Sequence, residues 1–459
     1  MKHKYISAWL LGGLMMACGC SKYTDIKTQG SLVPGDIQNY RYLLNYTSTY
    51  EIGGGLQDYA AAEADISDST QQAQISTSSY YLYIQHVSTW SAPIFPFATD
   101  KDPDWNSYYG RIFNCNVIIN EVPGSTGGTD SAKAELIGEA LVHRADAYIN
   151  LVNEYAKPYN AATAGSDLGV PLVLDPSLTQ QLPRASIAAV YSRVEADLKQ
   201  AAIALPRSSN INTLPNKAAA YALLARTYLL MGNYTNAGLY ADSALILKNT
   251  LNDLGTTPTL PRKLTDPEII LEKVAGLSVG YGSSMIRLSD ELLGLFDTRD
   301  MRYQLFTAAA EDLGATGYTG RFFTMERVNG DNRNIGPSVP EMILVKAESL
   351  ARAGDANGAM DQVNILRQKR FAAADYVAMS AGSANDAIVK VIEERKREFM
   401  CRMLPWMDQR RLKDDPLFSK TYTRTWLGQT YTLEPSSNRY VFPISQYVIN
   451  LNPEIEQNP

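Results

Sequence analysis

Aromatic rings set among hydroxyl and charged side chains are the residues with the clearest chemical use in this 459-residue chain. Trp90 stands beside Ser88, Thr89 and Ser91, ahead of Asp100 and Asp102. Farther on, Tyr281 is held among Gly280, Gly282 and Ser283, and Tyr318 and Phe322 flank Arg321. A sugar presents C–H faces that pack on an aromatic ring, while its hydroxyls need donors and acceptors alongside. Both stretches therefore carry the residue types of a glycan-binding surface. The candidate ligand-binding residues are Trp90, Tyr281, Tyr318, Arg321 and Phe322. Trp90 ranks first, because tryptophan has the largest stacking face and the proline-bearing stretch around it, with Pro93 and Pro96, shows no helical period to bury it. The competing reading is that such a Trp anchors the packing of its own loop. Trp105 is assigned to the core, since a helix there puts Tyr108, Tyr109 and Ile112 on the same face.

Catalysis has less support. Of the 3 histidines, His3 lies in the N-terminal leader, and His86 and His143 cannot supply a His-rich metal site or an H-E-x-x-H motif. No G-x-S-x-G elbow, phosphate-binding P-loop or dinucleotide fingerprint occurs. The 48 acidic residues leave a glycosidase-type carboxylate pair open, because sequence does not set distances in space. The adjacent Glu393 and Glu394 are poor partners, since neighbours on a helix point about 100° apart. The chain is read as a non-enzyme without cofactor, catalytic residue or metal. Its net charge of −6 argues against nucleic acid as a partner, which would require a basic surface.

The elements that must position these loops are helical. From Lys217 to Lys248, Tyr221, Leu224, Ala225, Tyr228 and Leu229 form one apolar helix face. Gly232 suits the left-handed cap that ends it, and Asn233 suits the N-cap of the next helix. Ala237, Tyr240, Ala241, Ala244 and Leu245 then repeat the spacing. Small alanines on facing sides let two helices approach closely, the pattern of a tetratricopeptide-type hairpin. Ala347, Gly354, Asp355 and Ala359 repeat the spacings of Ala225, Gly232, Asn233 and Ala237 far downstream, with Val363 and Leu366 in the places of Ala241 and Ala244. So distant a copy cannot be a tandem neighbour, and the two hairpins must meet in space. Further helices are expected at Ile37–Leu44, Asp104–Val122, Ala132–Tyr155, Ile187–Leu205, Ser289–Phe296 and Asp386–Phe399. Short strands are expected at Gln429–Leu433 and Tyr440–Phe442, and the aromatics of residues 66–103 are placed on loops. The fold class is mainly α, with long loop-rich inserts and minor β.

The N-terminus reads as an address. Lys2 and Lys4 precede an apolar run from Ile6 to Ala17, too short to span a bilayer and suited to the core of a signal peptide. Cys18 and Cys20 follow, and the chain then turns polar. A cysteine so placed resembles that of a bacterial lipobox, whose thiol is lipidated with a diacylglyceryl group, palmitate being one such chain, and becomes the first mature residue. Small Ala17 and Gly19 favour Cys20 as the lipidation site, with Cys18 the alternative. Residues 1–19 are thus a lipoprotein signal peptide, and the body that remains is expected to be held to its membrane by lipid alone. Cys115 shares a face with Ile112, Asn116 and Ile119, which points to a buried free thiol.

Several motifs then follow one another in a recognisable order. Cys20-Ser21-Lys22-Tyr23 leads into Asp25 to Gly30, and Trp105-Asn106-Ser107-Tyr108-Tyr109 opens a long helix. Arg144-Ala145-Asp146-Ala147-Tyr148, with Leu151, Tyr155 and Pro158, precedes an extended link from Asp167 to Val173. Arg184, Asp197-Leu198 and Leu205-Pro206 come next, then Asp300-Met301-Arg302, Glu341 to Leu344 and Ala347-Glu348. Glu394-Arg395, Arg397-Glu398-Phe399, Trp406, Asp408, Arg410 and Arg411 form a late segment, and the chain closes on Gln457-Asn458-Pro459. In this order the chain resembles the SusD/RagB family of outer-membrane nutrient-binding lipoproteins over nearly its whole length. It departs at Arg402-Met403-Leu404-Pro405, where many members carry Glu-Gly-x-Arg, so the late helix is expected to break at Pro405. Ser445 replaces a common proline.

The resemblance implies a single SusD-like body over residues 20–459, with an N-terminal part at 21–210 and a C-terminal SusD/RagB part at 211–459. It implies a lipid-anchored protein exposed at the cell outer membrane and used in polysaccharide utilisation. Such a protein binds oligosaccharide and delivers it to a SusC-like TonB-dependent transporter. Ligand contacts are implied in loops comparable to those of Trp90, Tyr281 and Tyr318. The alternative is a peptide- or protein-binding scaffold that uses its tetratricopeptide-type hairpins.

Overall fold

Two helical hairpins occupy the middle of the molecule, for reasons written in their residues. The computed structural model describes residues 35–276, 286–315 and 317–459. Asn216 caps the helix Lys217–Leu230 by accepting the Ala219 N–H. Gly232 follows at φ 72°, where a Cβ would clash with the backbone. Asn233 accepts the Asn236 N–H and starts Tyr234–Leu247. Val339–Arg352 and Ala356–Arg367 repeat the device, with Gly354 at φ 92° and Asp355 capping on Gly358.

The two hairpins lie directly against each other. Tyr234–Leu247 packs on Lys217–Leu230 and on Val339–Arg352. The second approach is so close that a Cβ on Gly238 would collide with the Ser349 side chain. Ala225, Ala237, Ala241, Ala244 and Ala347 are all fully buried. Arg226 crosses between hairpins and makes two 2.7 Å bonds to the Glu341 carboxylate. Both partners are buried, and the paired geometry offsets the cost of taking their charges out of water.

Pro103–Glu121, Asp130–Tyr155 and Ile187–Ala204 pack in succession on the N-terminal side, and the last of them leans on Lys217–Leu230. Arg144 locks the three together: it bonds both Asp197 oxygens at 2.8 Å and the Asn116 side chain at 2.8 Å. One apolar core runs from Leu56 to Ile455 through both halves. On the C-terminal side Ala384–Phe399 packs on the second hairpin. Burial alone would raise the Glu394 carboxyl, but Arg302, Arg397 and Arg367 outweigh it and hold it down to about 2. Glu394 is thus a structural anion, and Glu393 beside it also faces Arg397, at 3.6 Å. Cys115 and Cys401 are buried free thiols.

Several boundaries differ from expectation. The late helix ends at Phe399, ahead of Pro405. The chain turns through Cys401 at φ 54° and Met403 at φ 64°, and Pro405 then sits in the first turn of Leu404–Arg411, where its missing N–H costs nothing. Ser289–Phe296 shrinks to Asp290–Leu293, with Ser289 as N-cap and Gly294 as C-cap. Residues 66–103 are not all loop, because Ser69–Thr77 and Leu82–Ser88 are helices completed before the first proline. Gln429–Leu433 is a strand, but its partner Tyr422–Trp426 lies in a tail that shows no regular pattern. Tyr440–Phe442 is not a strand: Asn438–Tyr440 is a 3-10 turn, and the Phe442 N–H bonds the Glu154 carbonyl at 2.8 Å in place of a sheet neighbour.

The buried hairpin contact makes Ala225→Phe a direct probe. The added ring has no space and should destabilise the fold by about 1–3 kcal/mol, lowering the melting temperature followed by circular dichroism. An unchanged melt would mean that this face is not packed.

Candidate functional site

The aromatic stretch around Trp90 is built on a buried cation. Arg424, on the strand Tyr422–Trp426, donates through Nη1 to the carbonyls of Tyr59 at 2.7 Å and Ser88 at 2.6 Å. Through Nη2 it donates to Ala64 at 2.6 Å and also to Ala61. Burial pushes this guanidinium down to about 10, so it remains charged at neutral pH. It lies 4.6 Å from the Trp90 ring centroid, and the indole N–H donates to the Ala60 carbonyl at 3.0 Å. Trp90 is therefore only 5% exposed, with φ 52°. This corrects the first choice of stacking shelf: Trp90 anchors the loop from beneath and has no free face for a sugar.

What the anchor supports is a different set of rings. A hollow of 280 Å³ opens between the start of Leu82–Ser88 and the proline-bearing loop, lined by Tyr80, Tyr83, Phe95, Pro96, Asp100 and Lys101 among others. Tyr83 and Phe95 stand 6.1 Å apart, and Phe95 is buried. Tyr80 is 64% exposed and meets Tyr81 edge-on at 4.9 Å. Phe97, next to Pro96, is 54% exposed. Asp100 accepts the Phe97 N–H at 3.0 Å, and the Lys101 ammonium lies 5.5 Å from the Tyr447 ring. Apolar ring faces thus stand beside a carboxylate and an ammonium, the pairing that sugar C–H faces and hydroxyls require.

The second stretch divides. Tyr281 lies outside the described residues. Phe322 is fully buried on the short ribbon Thr307–Ala309 with Arg321–Phe323, so it offers no shelf. Arg321 is spent on structure: it bonds the Thr307 hydroxyl at 2.9 Å and carbonyl at 3.1 Å, over the Tyr303 ring at 4.3 Å. Tyr318 is half-buried, 6.3 Å from Phe322, and its hydroxyl donates to the Gln74 side chain. That bond joins the second stretch to the first through Ser69–Thr77. The hairpin Tyr422–Leu433 grips the same helix, with Gln72 donating to the Thr425 carbonyl at 2.8 Å and accepting the Leu427 N–H at 2.7 Å. A wider opening of 580 Å³ lies there, lined by Asp65, Ser67, Ser69, Gln72 and Thr423 and by no aromatic ring. Trp105 is in the core as expected, 6% exposed and edge-on to Tyr155 at 5.0 Å. Among the described residues no cluster of His, Cys, Asp or Glu is arranged to hold a metal, and no helix is long and apolar enough to cross a membrane.

The far end of the loop is tied to buried acids. Asp102 caps Pro103–Glu121 by accepting the Asp104 and Trp105 N–H groups, and it accepts the Tyr155 hydroxyl at 2.6 Å. Asp104 accepts the N–H groups of Gly55 at 3.0 Å and Leu56 at 3.2 Å. The Tyr108 hydroxyl takes the Gly54 N–H at 2.7 Å, an approach that a Cβ on Gly54 would block. Burial pushes Asp102 up to about 6, against the pull of its hydrogen bonds. Asp104 is raised by burial and then by the Asp102 charge, and Glu154 by burial and then by Asp104. Carboxyls raised on folding stabilise the protein most below their unfolded value, 3.8 for Asp, and that contribution is lost as pH rises through the folded value. The stability advantage of the wild type over Asp104→Asn should therefore shrink between about pH 4 and pH 7, as read by urea midpoints. Parallel curves would contradict the mutual repulsion of these acids.

Known proteins share this fold. Residues 35–229 match a family model described as starch-binding and associating with the outer membrane, and residues 339–459 match the model of the SusD family. None of the curated proteins matches the chain. A SusD superfamily protein from Bacteroides thetaiotaomicron is similar with a TM-score of 0.72 and 22% identity, over 92% of this chain and 100% of that one. One from Bacteroides fragilis gives 0.71 and 18%, over 92% and 99%. A SusD-like carbohydrate binding protein from Bacteroides vulgatus gives 0.66 and 17%, over 91% and 97%. At such identities these structures speak for the fold, mainly helical with small two-stranded ribbons, whereas the two sequence models speak for descent. Matching in order and together spanning most of its length, they show that the chain belongs to the SusD/RagB family.

Proposed function

We propose that the protein binds oligosaccharide at the Tyr80 hollow and hands it to a TonB-dependent transporter of the outer membrane, to which it is held by a lipid on Cys20. The observation that carries the reading is the exposed Tyr80 ring across the hollow from Asp100 and Lys101, which lie on a loop held at both ends by buried groups. A preorganised loop loses little conformational freedom when sugar binds, so modest stacking contacts suffice. The matched family description, starch-binding and associating with the outer membrane, makes an α-glucan the first cargo to try. The SusD-like carbohydrate binding protein of the same fold points to the same ligand class. No step of bond-breaking is assigned to the chain.

Calorimetric titration with maltoheptaose and a panel of other oligosaccharides tests this. Tyr80→Ala and Phe97→Ala should each weaken binding by about 1–2 kcal/mol, roughly tenfold, with an unchanged melt. Trp90→Ala should instead lower the melt, because it empties a packed site at a cost of about 3–5 kcal/mol. Full binding by the Tyr80→Ala/Phe97→Ala double variant, or no binding of any panel member to the wild type, would overturn the reading.

A further inference from the structure

A second hollow lies apart from the aromatic one, between Ala384–Phe399, Leu404–Arg411 and the segment that leads into the Tyr422–Leu433 hairpin. Its volume is 240 Å³, more than the roughly 150 Å³ of an engineered apolar cavity that takes up benzene. Leu295, Val389, Ile392, Pro405, Leu417 and Phe418 make most of its wall apolar.

The charged groups around it are matched, with one exception. Lys420 donates to both Glu291 oxygens at 2.7 and 2.8 Å, and Lys396 reaches the same carboxylate at 3.5 Å. Asp408 is held by Arg395 at 2.7 Å and Arg411 at 2.8 Å, and Glu393 faces Arg397 at 3.6 Å. Glu63 differs. It lines the hollow at 5% exposure, its Oε2 has no hydrogen-bond partner, and its nearest cation, Lys396, stands 3.9 Å from Oε1. A buried carboxylate oxygen without a donor is costly, and the residue that carries this one lines the hollow.

We propose that this hollow binds a small amine, with its apolar body between Leu295, Ile392 and Phe418 and its ammonium donating to Glu63 Oε2. The ammonium supplies the donor that Oε2 lacks and a closer cation than Lys396, which Glu63 shares with Glu291. A carboxylate would meet Glu63 with like charge. A sugar would bring many hydroxyls to a wall that is mostly apolar and whose charged groups, Glu63 apart, are already paired. The site is independent of the glycan hollow, which has its own lining.

The test is calorimetric titration of the full chain with 2-phenylethylamine, with 2-phenylethanol and 3-phenylpropionate as comparisons. The amine should bind saturably, the alcohol roughly tenfold more weakly, and the carboxylate not at all. Glu63→Gln should weaken the amine roughly tenfold or more. Val389→Trp, which fills the hollow from a half-buried position, should block the amine while leaving the melt and any oligosaccharide binding unchanged, and it decides the matter if Glu63→Gln fails to fold. No saturable binding of the amine to the wild type, equal binding of amine and carboxylate, or wild-type affinity in either variant would overturn the proposal.

Discussion

Arg424 carries a charge into the interior where, among the described residues, no carboxylate pairs with it, and the proposed binding face depends on how that charge is satisfied. Its N–H groups meet the carbonyls of Tyr59, Ala61, Ala64 and Ser88, and the Trp90 ring covers its face. One planar fork thereby ties the strand Tyr422–Trp426 to the chain after Leu56–Ala60 and to the end of Leu82–Ser88. A lysine could not repeat this, because its ammonium is a single point of donation and not a rigid plane. Loss of the fork would leave buried carbonyls without donors, each at a cost of about 1–3 kcal/mol. The loop that carries Phe97, Asp100 and Lys101 starts from this layer, through Trp90.

The rest of the molecule serves that layer. Close helix contacts over alanines and Gly238 build a frame stiff enough to hold buried ion pairs such as Arg226 with Glu341 and Arg144 with Asp197. The frame in turn fixes Tyr155, whose hydroxyl holds Asp102 and with it the end of the proline-bearing loop. Frame, buried polar layer and exposed rings form one chain of dependence. A substitution in the alanine seam would be felt at the proline-bearing loop through stability, and one at Tyr80 would not be felt in the frame.

Legibility in the sequence followed the range of the interactions that decide each element. The hairpins are readable because helical period, Gly232, Gly354 and the Asn233 and Asp355 caps act within a few residues of one another. Their meeting in space also follows, since neither could bury its alanines alone. The burial of Trp90 is not legible, because it is decided by Arg424, far off in the chain, and no local pattern announces that partner. Phe322 and Arg321 were misjudged for a related reason: the ribbon that turns Phe322 inward pairs it with Thr307–Ala309, a segment with little strand character. Tyr80 and Phe97 lay in the stretch singled out, but ring size favoured Trp90 over them. The better signal was position, just before a helix start for Tyr80 and just after Pro96 for Phe97, where large rings have least to pack against.

A crystal structure of the protein with a bound oligosaccharide would test the central claim most directly. The account predicts a sugar ring lying on the Tyr80 face, with hydroxyls bonded to Asp100 or Lys101 and the Arg424–Trp90 layer beneath unchanged. Sugar bound along the helical hairpins, or only in the polar opening at Asp65 and Gln72 with Tyr80 untouched, would contradict it.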